Sequence, residues 1–314
     1  HVIVWIIGIA LILFISALTW LFSEKTLHIR TWSRDHILKL ERADHRFSDE
    51  WYARLTREPV SIQSPRGYTL AGEYWPVDGG SRGIVILSHG VTVNRNASLK
   101  YAELFQELGF SCLAYEQCRH GESGGRFTTY GYYERHDLKA VADWVRERFG
   151  GDILLGIHGE SMGAAILLQY AGLVEDGADF YISDCAYASI WEQLGYRLQA
   201  EMHLPQWPLL HLSAWLCRLR SGFVMKEACP LKAVPHIEHP VLFVHGEDDR
   251  YIPPDASMRL YEAKTTGPRG LLLAPGARHA EVQPVAPEQY RQTVIEFLDR
   301  SLPDWRSYVK EVES

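Results

Sequence analysis

The sequence predicts an α/β fold: a mostly parallel sheet with helices on both faces, a small helical cap, and a transmembrane helix at the N-terminus. Three observations carry this. Short apolar β-rich runs alternate with helical ones through most of the chain, a long stretch at the start holds no charged side chain, and Gly159-Glu160-Ser161-Met162-Gly163 stands where a strand gives way to a helix. At 314 residues the chain is long enough for one large domain with an extensive core.

Residues 2–22 are mostly Ile, Leu, Val, Ala, Phe and Trp. About 20 apolar residues rising 1.5 Å each match the roughly 30 Å hydrocarbon core of a bilayer. Trp5 and Trp20 lie near the two ends, where indole rings favour the interface. The rival reading is a cleaved signal peptide, whose apolar region runs about 7–15 residues before a small-residue cleavage site. Here the small pair Ser16 and Ala17 lies inside the apolar run, so a retained single-pass anchor is expected. Lys25, Arg30, Arg34, Lys39 and Arg42 follow it closely, which leans the rest of the chain toward the cytoplasmic side.

Residues 23–57 mix acids and bases, with Ile37, Leu38, Leu40, Trp51 and Leu55 at helical spacing. They read as a juxtamembrane helical stalk packed onto the domain. The domain itself spans residues 58–302. Val60-Ser61-Ile62-Gln63 and Leu70-Ala71-Gly72-Glu73-Tyr74-Trp75 predict a hairpin around Pro65-Arg66-Gly67. Residues 83–88 then form a continuous apolar strand of the buried type. Residues 110–115 precede a helical stretch at 133–148, and 153–157 precede one at 162–170. Residues 180–183, 241–244 and 271–273 supply further strands. Alternation of this kind builds a parallel sheet covered on both faces. Residues 187–237, rich in Trp, Leu and Pro (Trp191, Pro205, Trp207, Pro208, Trp215), lack a strand pattern and predict the helical cap. Residues 303–314 are left as a C-terminal tail.

Hydrophobic residues make up 46% and charged residues 23%, which excludes a disordered or fibrous chain. A net charge of -7 leaves no basic surplus to neutralise phosphates, so nucleic acid is not an expected partner. Cys112, Cys118, Cys185, Cys217 and Cys229 are odd in number and lack short pairings, and they read as reduced core residues. With no C-x-x-C and no H-E-x-x-H among fourteen histidines, neither a metal nor a cofactor is expected.

The chemistry centres on Ser161. Glycines two before and two after it keep side chains out of a crowded strand-to-helix turn, leaving the hydroxyl exposed at the sheet edge. The helix start offers the Met162 N–H to a developing oxyanion. A serine hydroxyl needs a base, and the base an orienting carboxylate. On such an elbow the acid and then the histidine follow in the chain. His279, in Pro275-Gly276-Ala277-Arg278-His279-Ala280, is the one histidine after the next acidic cluster. That cluster offers Glu247, Asp248 and Asp249, and spacing does not choose among them. His89-Gly90-Val91-Thr92 ends the first buried strand, where the second oxyanion donor arises, and Val91 N–H is the candidate. His89 is expected to hold this loop by hydrogen bonding rather than to move protons.

These residues resemble the α/β-hydrolase superfamily, and within it bacterial esterase-like proteins of the cinnamoyl-esterase and BEM46-like group. The resemblance spans residues 60–302 through Leu87-Ser88-His89-Gly90, Arg119-His120-Gly121-Glu122-Ser123-Gly124-Gly125, the Ser161 motif, His245-Gly246 to Pro253, and Gly276 to His279. The family pattern carries the acid to Asp249. Glu116 and Cys118 depart from the Asp and Arg that relatives often show, with Arg119 placed to compensate. The resemblance implies a serine hydrolase cleaving a small-molecule ester with an apolar acyl or aryl group, the cap roofing the site. The same parts serve thioesterase or peptidase chemistry, and the alternative of another class is a non-catalytic membrane-tethered binding module.

Overall fold

The computed structural model describes residues 1–308; the last part of the expected tail, 309–314, lies outside the described residues. The strands are β1 (Glu58–Gln63), β2 (Thr69–Trp75), β3 (Ile84–Ser88), β4 (Ser111–Tyr115), β5 (Leu155–Glu160), β6 (Phe180–Asp184), β7 (Val241–Gly246) and β8 (Arg269–Ala274). They form one sheet in the order β1-β2-β4-β3-β5-β6-β7-β8. β1 and β2 pair antiparallel, as do β2 and β4, while every pairing from β4 through β8 is parallel. The edge hairpin alternates buried and exposed residues along β1, whereas β3, β4, β5, β6 and β7 are buried throughout. Strands covered on both faces need apolar side chains on both, hence their continuous apolar runs.

The helices are α1 (Val2–Leu27), α2 (Arg34–Ala43), α3 (Asp49–Arg54), α4 (Leu99–Glu107), α5 (Glu134–Phe149), α6 (Met162–Leu173), α7 (Ile190–Met202), α8 (Leu209–Ser221), the single turn α9 (Pro230–Ala233), α10 (Asp255–Ala263), α11 (Val282–Val285) and α12 (Pro287–Ser301). One face of the sheet packs Leu138, Val141 and Val145 of α5 and Ile166 and Leu167 of α6, continuous with the cap residues Leu198, Leu210 and Phe223. The other packs Leu99 and Phe105 of α4 against Tyr290, Val294 and Phe297 of α12. This is the mostly parallel, doubly covered sheet of the α/β-hydrolase fold.

Helix α1 is the one helix among the described residues long and apolar enough to cross a membrane. It continues five residues past the apolar run, and its last turns bury Thr19, Ser23, Thr26 and Leu27, with α8 alongside. The stalk helices α2 and α3 are capped by Ser33 and Ser48, whose hydroxyls accept from His36 N–H and Trp51 N–H at 3.2 Å, satisfying orphan donors of each first turn. Ile37 is buried, and Leu38, Trp51 and Leu55 pack on the α4–α12 side of the sheet. Leu40 departs from the expected stripe and stays exposed, because α2 turns its Ile37–Leu38 side inward.

Candidate active site

The nucleophile candidate stands at the sharp turn from β5 into α6. β5 ends at Glu160, α6 begins at Met162, and Ser161 between them adopts φ 56° and ψ -114°. A side chain at positive φ is strained, and the turn is held by Ser161 N–H donating to the Asp184 carbonyl at 2.8 Å. The two glycines are sterically required: a Cβ on Gly163 would collide with the Ser88 carbonyl, and one on Gly159 with the Gly163 backbone. Beneath the turn, Glu160 pairs with buried Lys100 at 2.7 Å and accepts from Tyr101 Oη at 2.7 Å. Burial and the Glu160 charge push Asp184, also bonded to Tyr101, up to about 6.

Ser161, His279 and Asp249 form one hydrogen-bonded chain. His279 Nε2 lies 2.9 Å from Ser161 Oγ, and Nδ1 lies 2.7 Å from Asp249 Oδ2. A carboxylate only accepts, so Nδ1 carries the proton and Nε2 is free to accept from the hydroxyl. Of the three acids at the end of β7, Asp249 alone is buried; Glu247 and Asp248 are exposed. Asp249 Oδ1 accepts from Tyr251 N–H and Ile252 N–H, both at 2.9 Å. Oδ2 accepts a second bond from His245 Nε2 at 3.1 Å. Burial by itself would raise this carboxyl, yet hydrogen bonds from His245 and His279 outweigh it and hold Asp249 well below the usual carboxylate range.

The loop after β3 is fixed by two neutral histidines and by the stalk. His89 Nδ1 donates to the Gly90 carbonyl at 2.7 Å, and its Nε2 accepts from Gln117 N–H at 3.1 Å. His120 Nδ1 donates to the Cys118 carbonyl, and its Nε2 accepts from Thr92 N–H at 3.3 Å. Burial lowers them to about 3 and about 4 respectively. Thr92, at φ 70°, is further held by Trp32 N–H donating to its carbonyl at 2.9 Å. Val91 and Met162, the oxyanion-donor candidates, line one cavity with Ser161.

Glu116 is paired from an unexpected direction. Its partners are Arg95 at 2.8 Å and Arg34 at 3.9 Å, both of which also reach Glu73 and Glu122. Arg119 does not compensate: its guanidinium donates to the Ile29 carbonyl at 2.9 Å. The stalk thus supplies Arg34 to the charge cluster and Arg119 in turn holds the stalk.

The cavity over Ser161 holds about 180 Å³. Tyr187, Ile190, Leu194 and Met202 of the cap line it, with Tyr251 and Ile252 beside Asp249. The end of α1 closes it through Phe22, Lys25 and Thr26, a contribution that the sequence pattern left unseen. The cap tryptophans do not line it; Trp207 and Trp215 face outward. Helix α7 is tied down where Gln193 Nε2 donates to the Tyr251 carbonyl at 2.6 Å. Arg197 stacks 3.8 Å over the Tyr251 ring, which in turn lies 4.7 Å from His279.

The cysteines are all free and buried. Cys185 joins Asp249 and His279 with donor atoms within 4.8 Å of one another. It makes a poor metal site, since Asp249 and His279 already bond each other and burial drives the Cys185 thiol well above its ordinary value.

Comparison with known proteins places this chain in a family. Residues 79–221 match the profile described as serine aminopeptidase, S33. The uncharacterized protein YqkD of Bacillus subtilis is 42% identical over 291 residues, covering 92% of this chain and 95% of YqkD. A monoacylglycerol lipase of Mycolicibacterium smegmatis is 24% identical over 264 residues, covering 71% of this chain and 90% of that protein. Among solved structures, the Pyrococcus furiosus esterase Pf2001 superposes with TM-score 0.65 at 23% identity, covering 81% of this chain and 96% of that one. The chain therefore belongs to the same family as YqkD, within the α/β-hydrolase superfamily.

Proposed function

We propose that this protein is a membrane-anchored serine hydrolase that cleaves carboxylic esters through an acyl-enzyme. The observation that carries the reading is His279, bonded to Asp249 on one side and on the other to the Oγ of Ser161, which lines an apolar cavity. Ser161 attacks the ester carbonyl while His279 Nε2 takes its proton. Asp249 steadies the resulting imidazolium, and Val91 and Met162 N–H groups hold the oxyanion, each such donor contributing roughly 3 kcal/mol. His279 returns the proton to the departing alcohol. It then activates a water that releases the acid and restores the Ser161 hydroxyl.

The esterase and lipase among similar proteins favour an ester substrate. Peptidase chemistry is the second reading, prompted by the aminopeptidase profile. An aminopeptidase binds an α-ammonium, which calls for a carboxylate near the nucleophile. The cavity lining holds Lys25 and Arg197 and no acid, which favours a neutral or anionic substrate with an apolar acyl group. A binding module without catalysis leaves the Ser161–His279–Asp249 chain without a purpose. Retention of the anchor is supported by packing, since cleavage after the apolar run would strip Ser23, Thr26 and Leu27 from their buried positions. The basic residues that follow the apolar run favour the cytoplasmic side for the domain.

The test is turnover of p-nitrophenyl esters of graded chain length beside acyl-thioesters and aminopeptidase substrates. Esters are expected to be preferred and abolished by Ser161→Ala; preference for an amino-terminal peptide overturns the ester reading.

A further inference from the structure

Helix α8 shows three outward apolar residues, Leu212, Trp215 and Leu219, at spacings that put them on one side. Trp215 is 61% exposed and Leu219 64%, and Trp207, just before the helix, reaches 74%. Large contiguous apolar exposure marks a surface that meets a partner. The opposite side of the same helix identifies that partner. Ser213 Oγ donates to the Thr19 carbonyl at 3.4 Å, Cys217 Sγ lies 3.6 Å from Ser23 Oγ, and Arg220 bonds both Ser23 Oγ and Glu24. Residue numbers rise together along both helices, so α8 runs parallel to α1. Residues ahead of Ser213 lie beside the part of α1 ahead of Thr19, which is the apolar span.

We infer that α8 is seated in the headgroup–acyl boundary of the bilayer that α1 crosses, and that the cavity over Ser161 is loaded from that lipid phase. This rests on the proposed reading of α1 as a span and of Ser161 as nucleophile. A helix that runs alongside a span enters this boundary end-on, so the N-terminal part of α8 dips in first with its outward apolar residues, and indole rings settle there. The cavity continues to the same side. Its wall includes Phe22 and Thr26 of α1, and Met202 at the end of α7 both lines it and is 42% exposed. Met202 lies five residues before the exposed Trp207. The substrate is then an ester whose acyl chain partitions into lipid, and it reaches Ser161 sideways along α1 and α7.

Two measurements on the full chain in phosphatidylcholine vesicles test this. All native cysteines are buried, so a nitroxide reagent reports a thiol introduced by Leu212→Cys. It is expected to be accessible to dissolved oxygen and shielded from a water-soluble nickel chelate; chelate access equal to that of a label at exposed Glu288 on α12 overturns the inference. The double variant Trp215→Glu, Leu219→Glu is expected to lose roughly tenfold or more on a long-chain ester carried in the vesicles, while a short p-nitrophenyl ester in water changes less than about twofold. Equal changes on both substrates, or none on either, overturn it. If Ser161→Ala turns over both esters at the wild-type rate, the nucleophile assignment fails instead, and the label depth alone then decides where α8 sits.

Discussion

His245 Nε2 donates to the same Asp249 oxygen that His279 engages, at 3.1 Å against 2.7 Å. His245 Nδ1 meets Ser257 Oγ at 2.7 Å, and its Nε2 also reaches the Ile252 carbonyl at 2.9 Å. Both partners of Nε2 are acceptors, which fixes the proton there and leaves Nδ1 to accept from the Ser257 hydroxyl. His245 is therefore a positioning residue for the acid. Replacing it by Phe removes one donor from a buried carboxylate, a loss worth roughly 1.5–3 kcal/mol for a charged acceptor. Asp249 then leans harder on His279, so the acid limb of the kcat/KM profile moves to higher pH. An unchanged pH profile with reduced stability would mean that His245 only fills space.

Arg34 ties the stalk to the hydrolase domain through Glu73 and Glu122, two residues from Trp32, which holds the strained Thr92. Arg34→Ala is expected to cost about 1–3 kcal/mol in stability and to lower kcat more than it raises KM, because the loop beside Val91 loosens. A chain cut at Phe47 loses both holds and follows the same pattern. Steady-state kinetics on a short ester check this; a pure KM effect contradicts it.

Gly163 leaves no space for a side chain against Ser88. Gly163→Ala is expected to destabilise the fold by roughly 3 kcal/mol or more, since backbone rather than a flexible side chain must yield. A urea titration measures it, and a shift under about 0.5 kcal/mol contradicts the tight-elbow geometry.

His89 and His120 are held neutral by burial, at about 3 and about 4. An unfolded chain takes up their protons near the ordinary value of 6.5, so below that pH the unfolded state binds more protons than the folded one. Stability is flat for these groups above about 6.5 and falls as the pH drops toward 4, on the order of 1.4 kcal/mol per pH unit for each. His120→Gln is less stable at neutral pH but has a shallower slope. Thermal melts between pH 7 and 4.5 check the sign; a slope unaltered by the substitution contradicts it.

The sheet was legible because its inner strands, covered on both faces, read as unbroken apolar runs, and the elbow because crowding dictates its glycines. Among the helices, α4, α10, α11 and α12 were not legible. α4 carries Lys100 inside, paired with Glu160, and a buried charge interrupts the apolar stripe by which a helix is recognised. Asp249 emerged from a resemblance rather than from spacing, because burial separates it from Glu247 and Asp248 and burial is not written in three adjacent acids. The cap was legible as helical but not in its orientation: Trp207 and Trp215 face out because α1, distant in sequence, occupies the inner side of α8. Arg34 as the partner of Glu116 was hidden for the same reason, since a contact across about 80 residues leaves no local pattern.

The central claim is that Ser161 is the nucleophile, and a fluorophosphonate probe tests it most directly. Wild type is expected to be labelled at Ser161, and Ser161→Ala to be unlabelled with activity reduced on the order of 10⁶-fold. Equal labelling of the variant, or retention of about a tenth of the wild-type rate, contradicts the assignment.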